Sequence, residues 1–427
     1  MREAVTDSGT LHVCLDARLV SGLQGGVQQV VIGLAHGLSR LDDGPERFSF
    51  LVFPGHSGWL EPYLGGACRL LPAKPLPKKR GAAARTISTA PRAFRRLRSS
   101  VPGARSAVRL AESDGTIEAS DVDIMHFPLQ TAFVASVPSI YHPHDLQHLH
   151  YPEFFTKVDW EGRELAYRSF CDRAAMIPVT SEWNRRDLLE HYSLPEEKVV
   201  VIQLAPAIGA YSPPTPEDLQ HTRARFALPD RFVFYPAQTW AHKNHLRLVE
   251  AIACLRDEGR VNIPVVCSGT RNDFYRVIAR RVRELDLEAS FVFTDFVEPE
   301  ELYALYQLCQ CVVVPTLFEA AGGFGPIAEA FLAGRPVACS SVTSLPAEVG
   351  DAALVFDPLD VVDMAQAVYR LWSDRALCDQ LVDRGRLKVG RYDWVRTAGI
   401  FRAHYRRIAE RQLTDEDKAL LAAPAFF

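Results

Sequence analysis

Residues 315–358 read PTLFEAAGGFGPIAEAFLAGRPVACSSVTSLPAEVGDAALVFDP, and the alternation in this stretch decides the fold. An apolar run at 312–315 has the length of a buried strand, and Glu319 follows it in a loop. Gly322, Gly323 and Gly325 then lead into a helix beginning near Pro326. Proline suits a first helical turn, because the N–H it lacks would have no partner there. The free N–H groups of that turn, with the helix dipole, favour an anion such as a diphosphate. Glu329 falls about one turn inside the helix, where a carboxylate is placed to accept hydrogen bonds from ribose hydroxyls. Apolar runs at 336–340 and 353–356 resume the strand rhythm. Taken alone, the same stretch also describes an ordinary tight turn with surface glutamates.

The alternation continues outward. Apolar runs at 232–237, 263–268 and 290–293 precede the stretch, separated by helical patterns. The N-terminal half repeats the scheme, with LHVCLDARLV at 11–20 and runs at 48–53, 122–127, 139–142, 176–180 and 199–204. Helical spacing appears at 27–41, 160–175 and 181–192. Short apolar strands alternating with helices imply parallel sheets covered on both faces. Between the halves the chain turns polar and rich in proline (Pro206, Pro213, Pro214, Pro216, Pro229), as a linker does. The expectation is an α/β protein of two Rossmann-like, doubly wound domains facing across a cleft. Residues 1–205 form the first domain, 206–230 the linker and 231–393 the second domain. A last helical region, 394–412, crosses back onto the first. Ligands of such sheets bind beyond the carboxyl ends of the strands, which points to the cleft.

Bulk properties narrow the function. The 427 residues are 48% hydrophobic and 23% charged, with a formal net charge of −4, which gives no reason to expect a nucleic-acid partner. No run approaches the ~18 apolar residues of a membrane span. The opening MREAVTDSGT lacks a signal peptide's apolar core. Nine scattered cysteines include no CxxC pair, which fits a reduced, cytoplasmic protein without structural zinc. Residues 74–109 hold eleven Lys or Arg and no Asp or Glu. That segment reads either as a solvated insertion or as a patch for anionic lipid at the inner membrane face.

Three further stretches hold candidate site residues. In FYPAQTWAHKNHLRLVEAI (234–252), Lys243 follows the first strand of the second domain, where an ammonium can stabilise charge on a departing phosphate. A solvent-exposed lysine at a helix start is the plainer reading of that residue alone. In SGLQGGVQQVVIGLA (21–35), Gly25 and Gly26 allow close backbone approach to a phosphate or sugar, although the GxGxxG spacing is absent. In SIYHPHDLQHLHYPEFFT (139–156), His142, His144, His148 and His150 gather near His126. Neither Asp145 nor Glu153 completes a metal-ligand spacing, so polar residues lining a cleft are expected there and no metal.

In order along the chain, these pieces resemble the family-4 glycosyltransferases of GT-B fold. DARLVSGLQGGVQQVVIGLAHGL, HDLQHLHYPEFF and VTSEWNRRDLLEHYSLPEEKVVVI carry the resemblance in the first half. HKNHLRLVEAI, EELYALYQLCQCVVVPTLFEA and AGRPVACSSVTSLPAEVGDAALVFDPLD carry it in the second. It is weakest over 55–120. The resemblance implies a retaining, metal-independent hexosyltransferase that needs no cofactor. Its donor is a nucleotide-sugar, GDP-mannose or a UDP-hexose, and its acceptor a glycan or a lipid-linked glycan. It implies that Lys243 neutralises the donor diphosphate, Glu319 lies beside the transferred sugar and His144 helps to position it. Glu329 would hold the ribose, and Gly323, Phe324, Gly325, Pro326 and Ile327 would present the backbone to sugar and phosphate. Gly25 and Gly26 would close over the donor, and Phe296 would line the base pocket. Two departures stand out. Nine residues separate Glu319 from Glu329 where the family has seven, and Gln238 stands where the family carries an arginine, so that His242 or another basic residue would substitute. The YPAQ and HKNH segments are similar to O-antigen mannosyltransferases. Two competing readings keep the fold: a sugar-phosphate synthase, and a noncatalytic nucleotide-sugar-binding subunit.

Overall fold

The structure is a computed structural model that describes residues 9–22, 25–74, 110–320 and 324–423. Most of the basic segment 74–109, and Gly322 and Gly323 of the glycine-rich turn, lie outside the described residues.

Two parallel sheets organise the chain. The first contains β1 (His12–Asp16), β2 (Arg47–Val52), β3 (Cys68–Pro72), β4 (Ile124–Phe127) and β5 (Ser139–Tyr141), in the order β3-β2-β1-β4-β5. A bridge between Ile140 and Met176 joins β5 to a parallel pair, β6 (Ile177–Val179) and β7 (Val199–Val201). The second sheet contains β8 (Val233–Pro236), β9 (Val265–Ser268), β10 (Phe291–Asp295), β11 (Cys311–Val314), β12 (Val337–Ser340) and β13 (Leu354–Phe356), in the order β10-β9-β8-β11-β12-β13. The strands are short and apolar because helices cover both faces; β8, β9, β11 and β12 are almost wholly buried. Strand β3 was not anticipated from sequence. Only Cys68 of its five residues is buried, because among the described residues it is an edge strand paired with β2.

In each sheet the strand order reverses between the first strand and the fourth, at β1/β4 and at β8/β11. The loops leaving these strands diverge to opposite faces and open a crevice at their carboxyl ends. The crevice of the second sheet is flanked by the loops after β8 and β11, which hold Lys243 and Glu319.

Residues 206–230, expected as a linker, are structured. A 3-10 turn, Ala207–Ala210, buries Ala207, Ile208 and Ala210 in a core continuous with both sheets, touching the helices Gly26–Leu38 and Phe324–Leu332. Next, the helix Pro216–Arg225 is capped by a reciprocal Thr215–Asp218 box and packs on the helix Pro299–Leu308. Its prolines do not oppose this, since Pro216 occupies a first-turn position.

The helix Trp394–Ile408 lies against Gly26–Leu38. Gly33 and Gly37, one turn apart, leave the space that Trp394 fills, and a Cβ at either position would overlap it. Trp394 Nε1 donates to the Pro206 carbonyl at 3.0 Å. The buried Arg406 guanidinium bridges Glu46 of the first domain and Asp417 of the final helix. None of the nine cysteines forms a disulfide, and eight are buried. Among the described residues no helix is long and apolar enough to cross a membrane.

Candidate active site

Lys243 ends a 3-10 turn just before the helix His245–Asp257. The turn is held in place by Asn244, which adopts a left-handed conformation (φ 59°). Its buried Nδ2 donates to the carbonyls of Pro315 and Pro358, at 2.8 and 2.9 Å. The His242 carbonyl accepts from Leu317 N–H (2.7 Å) and Thr316 Oγ1 (3.2 Å). The loops after β8 and β11 are therefore stitched together by backbone. This brings the Lys243 ammonium into contact with the Glu319 carboxylate. Burial pushes that ammonium down to about 8, and Asp145 of the first domain opposes the shift. At about 8 the amine still carries its charge at neutral pH. The Glu319 carbonyl in turn accepts from Thr343 Oγ1, and Thr343 is itself left-handed (φ 51°).

Glu329 is buried in the helix Phe324–Leu332 and accepts a 2.6 Å hydrogen bond from Tyr306 Oη. Burial pushes its carboxyl up to about 7, against the Tyr306 hydroxyl and the Ala207 N–H. It makes no hydrogen bond or ion pair with Lys243 or Glu319 among the described residues. On the same helix Ile327 is fully buried, Gly325 has open space where a side chain would project, and the Pro326 carbonyl accepts from Tyr306 Oη at 3.3 Å. Open space at Gly325 and Gly26 leaves both backbones accessible.

From the first domain, His144 is also left-handed (φ 65°), and its carbonyl accepts from the buried Asn184 amide. A carbonyl can only accept, so the 2.9 Å contact to Pro128 O fixes the proton on His144 Nε2 and leaves Nδ1 as the ring's acceptor. Burial pushes His144 below the usual imidazole range. Behind it, His126 Nε2 meets His142 Nε2 at 2.7 Å, and His126 Nδ1 meets Tyr405 Oη at 2.6 Å. This ties the strand ends to the C-terminal helix; burial holds His126 near 3 and His142 well below its usual range.

The two domains touch across the crevice. Gly25, in positive φ at the start of its helix, packs on Gln238, and Gly22 packs on the Phe296 ring. Thr270 Oγ1 donates to the Gly22 carbonyl at 2.6 Å. Tyr151 Oη donates to Leu317 O at 3.1 Å, and Phe318 sits among His150, Tyr151 and Trp183. Burial and the neighbouring Lys243 push His242 well below the usual imidazole range. Arg163, from the first domain, and His245 act on His242 in the same direction.

Comparison with known proteins identifies this arrangement. Residues 24–205 match the family model described as Glycosyltransferase Family 4, and residues 230–374 match that for Glycosyl transferases group 1. The chain belongs to the family-4, group 1 glycosyltransferases. It is 29% identical over 253 residues to the O-antigen chain mannosyltransferase B of Escherichia coli, covering 59% of this chain and 65% of that one. It is 28% identical over 255 residues to the serotype-specific mannosyltransferase WbdA of Escherichia coli, covering 58% of this chain and 31% of WbdA. It is 30% identical over 226 residues to a D-inositol 3-phosphate glycosyltransferase of Corynebacterium aurimucosum, covering 50% and 52%. The chain thus spans less than two thirds of the length of these relatives. Among solved structures, the sucrose-phosphate synthase of Thermosynechococcus elongatus superposes with a TM-score of 0.66 at 19% identity, covering 93% of this chain and 99% of that one. Anabaena HepE in complex with UDP and glucose gives 0.65 at 17%, covering 94% and 99%. These likenesses establish the GT-B fold.

For a family-4 chain, several residues here escaped sequence reasoning. Tyr306 lies in a helix that reads only as amphipathic, yet it holds Glu329. Asn244 signals its left-handed turn only weakly, as an asparagine at a helix start. Asp16 and Arg18, at the end of β1, form a bidentate pair at 2.8 Å with Arg18 stacked on Phe133.

Proposed function

We propose that the chain transfers a hexose from a nucleotide-sugar to a glycan or lipid-linked acceptor, with retention at the anomeric carbon and without a divalent metal. The observation that carries this reading is the Lys243–Glu319 pair at the β8/β11 crevice, facing Asp145 of the opposing domain. When the bond from the anomeric carbon to the phosphate oxygen breaks, its electrons stay on the phosphate. A buried ammonium stabilises that charge more strongly than one in water. The acceptor hydroxyl attacks from the same face, and its proton passes to the leaving phosphate, so no separate base is required. Glu319, touching Lys243, would meet the hexose, and neutral His144 would accept a hydrogen bond from a sugar hydroxyl. Glu329 accepts from the ribose, and Phe296 with Gly25 and Gln238 frames the donor. Mannose is favoured as the sugar by the named mannosyltransferase relatives, with GDP-mannose ahead of a UDP-hexose. The acceptor would be met at the inner face of a membrane, with the basic segment 74–109 holding the anionic surface.

The deciding experiment is thermal stabilisation by GDP, UDP, GDP-mannose and UDP-glucose, repeated on Lys243→Ala and Glu329→Ala. A ligand at a hundred times its Kd adds about 2.7 kcal/mol. A rise with one base, lost in both variants, supports the donor site and names the nucleotide. No rise with any of the four overturns it.

A further inference from the structure

Three side chains beyond the donor crevice converge on one point. Asp187 and His191 are four residues apart on the helix Glu182–His191, which sets them on one face. His150 reaches them from the end of the short helix Gln147–His150. His150 Nε2 lies 2.7 Å from Asp187 Oδ1, and His191 Nδ1 lies 3.3 Å from the same oxygen. One ligand atom from each residue lies within 4.8 Å of the other two. The His150 hydrogen bond and the His191 contact account for Oδ1 but not for Oδ2. That second oxygen is buried without a hydrogen-bond partner, on a side chain only 4% exposed. Unpaired buried carboxylate oxygens are rare, because their hydration is lost with nothing in return.

We propose that His150, Asp187 and His191 form a binding site for a divalent transition-metal ion, zinc by preference. Two imidazoles and one carboxylate are a zinc-type ligand set; magnesium and calcium take oxygen ligands. Tetrahedral zinc with bonds of about 2.0–2.1 Å needs ligand atoms about 3.4 Å apart, so within this 4.8 Å cluster both rings must turn to meet an ion. Both histidine rings have solvent beside them and can rotate, while the buried Asp187 stays fixed. Asp145 and Glu190 add negative charge around His150, which favours a cation. His191 Nδ1 donates to the Asp187 carbonyl at 2.9 Å, so this ring takes the ion through Nε2, or through Nδ1 once it has turned off the carbonyl. A water completes the fourth position. The ion sits beside the interdomain seam, because the His150 ring lies 5.1 Å from Phe318. It has no part in the proposed transfer, so the two readings stand or fall separately.

The test is titration of zinc into chelator-stripped full-length protein, in competition with a chromophoric chelator. It is repeated on His191→Ala and Asp187→Asn, with cobalt absorption as a second readout. One ion per chain, bound at least about tenfold more weakly by both variants, is the expected result. The visible band of tetrahedral cobalt should appear in the wild type and disappear in the variants. His191 is partly exposed at its helix end, so His191→Ala keeps the test valid if Asp187→Asn fails to fold. No ion in the wild type, or unchanged affinity in His191→Ala, overturns the proposal.

Discussion

Lys243 is the residue on which the proposed chemistry depends most. Its ammonium is stabilised by Glu319 and faces Asp145, so removing it leaves two carboxylates without their cation where a diphosphate must bind. Lys243→Ala is expected to lower kcat by about 10²–10³, in line with loss of one positioned charge donor. Glu319→Gln should be milder in donor affinity, since it frees the ammonium, and a kcat-versus-KM comparison of the pair checks both statements. Glu329 gives a pH prediction. Burial raises its folded-state carboxyl to about 7 from the 4.5 of an unperturbed glutamate, so between those values the folded protein holds a proton that the unfolded chain has released. Stability from this group is therefore full below 4.5, falls as pH rises, and has gone above about 7. The loss is on the order of 3 kcal/mol. In Glu329→Gln this decline should be absent, so the variant should gain stability relative to wild type between pH 5 and pH 8. Thermal unfolding across that range measures it, and parallel curves for the two proteins would refute the assignment.

Among the elements, the crossing of Gly26–Leu38 with Trp394–Ile408 depends on two missing side chains. Gly33→Ala would force a methyl into the Trp394 ring, and overpacking of this kind costs about 1–3 kcal/mol. A fall in Tm for Gly33→Ala, but none for Gly58→Ala where space is open, is the expected pattern. The turn that presents Lys243 depends likewise on Asn244. Replacing it with alanine strands two buried carbonyls and puts a Cβ-bearing residue without a local partner in left-handed backbone. Together these are expected to cost roughly 2–4 kcal/mol, seen as a lower Tm, with Lys243 left unpositioned.

At the scale of the whole molecule, the domains are coupled on both sides of the crevice. The Ala207–Ala210 turn, Trp394 and the Arg406 bridges fix one side. The other side is held by small, separable contacts around Phe318, Gly22 and Gly25. Opening is therefore expected on the Phe318 side, with the fixed side as hinge. Phe318→Ala should shift the ligand-free protein toward a more open form. A larger radius of gyration in solution scattering, reversed by the donor nucleotide, would show this, and an unchanged radius would refute it. Closure that excludes water also protects an activated sugar, so the same variant should hydrolyse more donor per transfer.

Much of this was already written in the chain. Short apolar runs between helical patterns can be buried only in parallel sheets, so the two doubly wound units were legible from 315–358 outward. The places of Lys243 and Glu319 were legible too, since each directly follows such a strand. The sequence could not show that these two side chains touch, because that contact depends on β8 and β11 being neighbours although a whole βαβ unit separates them. Nor could it show Tyr306 against Glu329, neutral His242, or His150 meeting Asp187 across 37 residues. Local pattern reports which face of an element is buried and where its loops begin. Which side chains meet is set by strand order, crossover and packing, and these are properties of the folded chain as a whole.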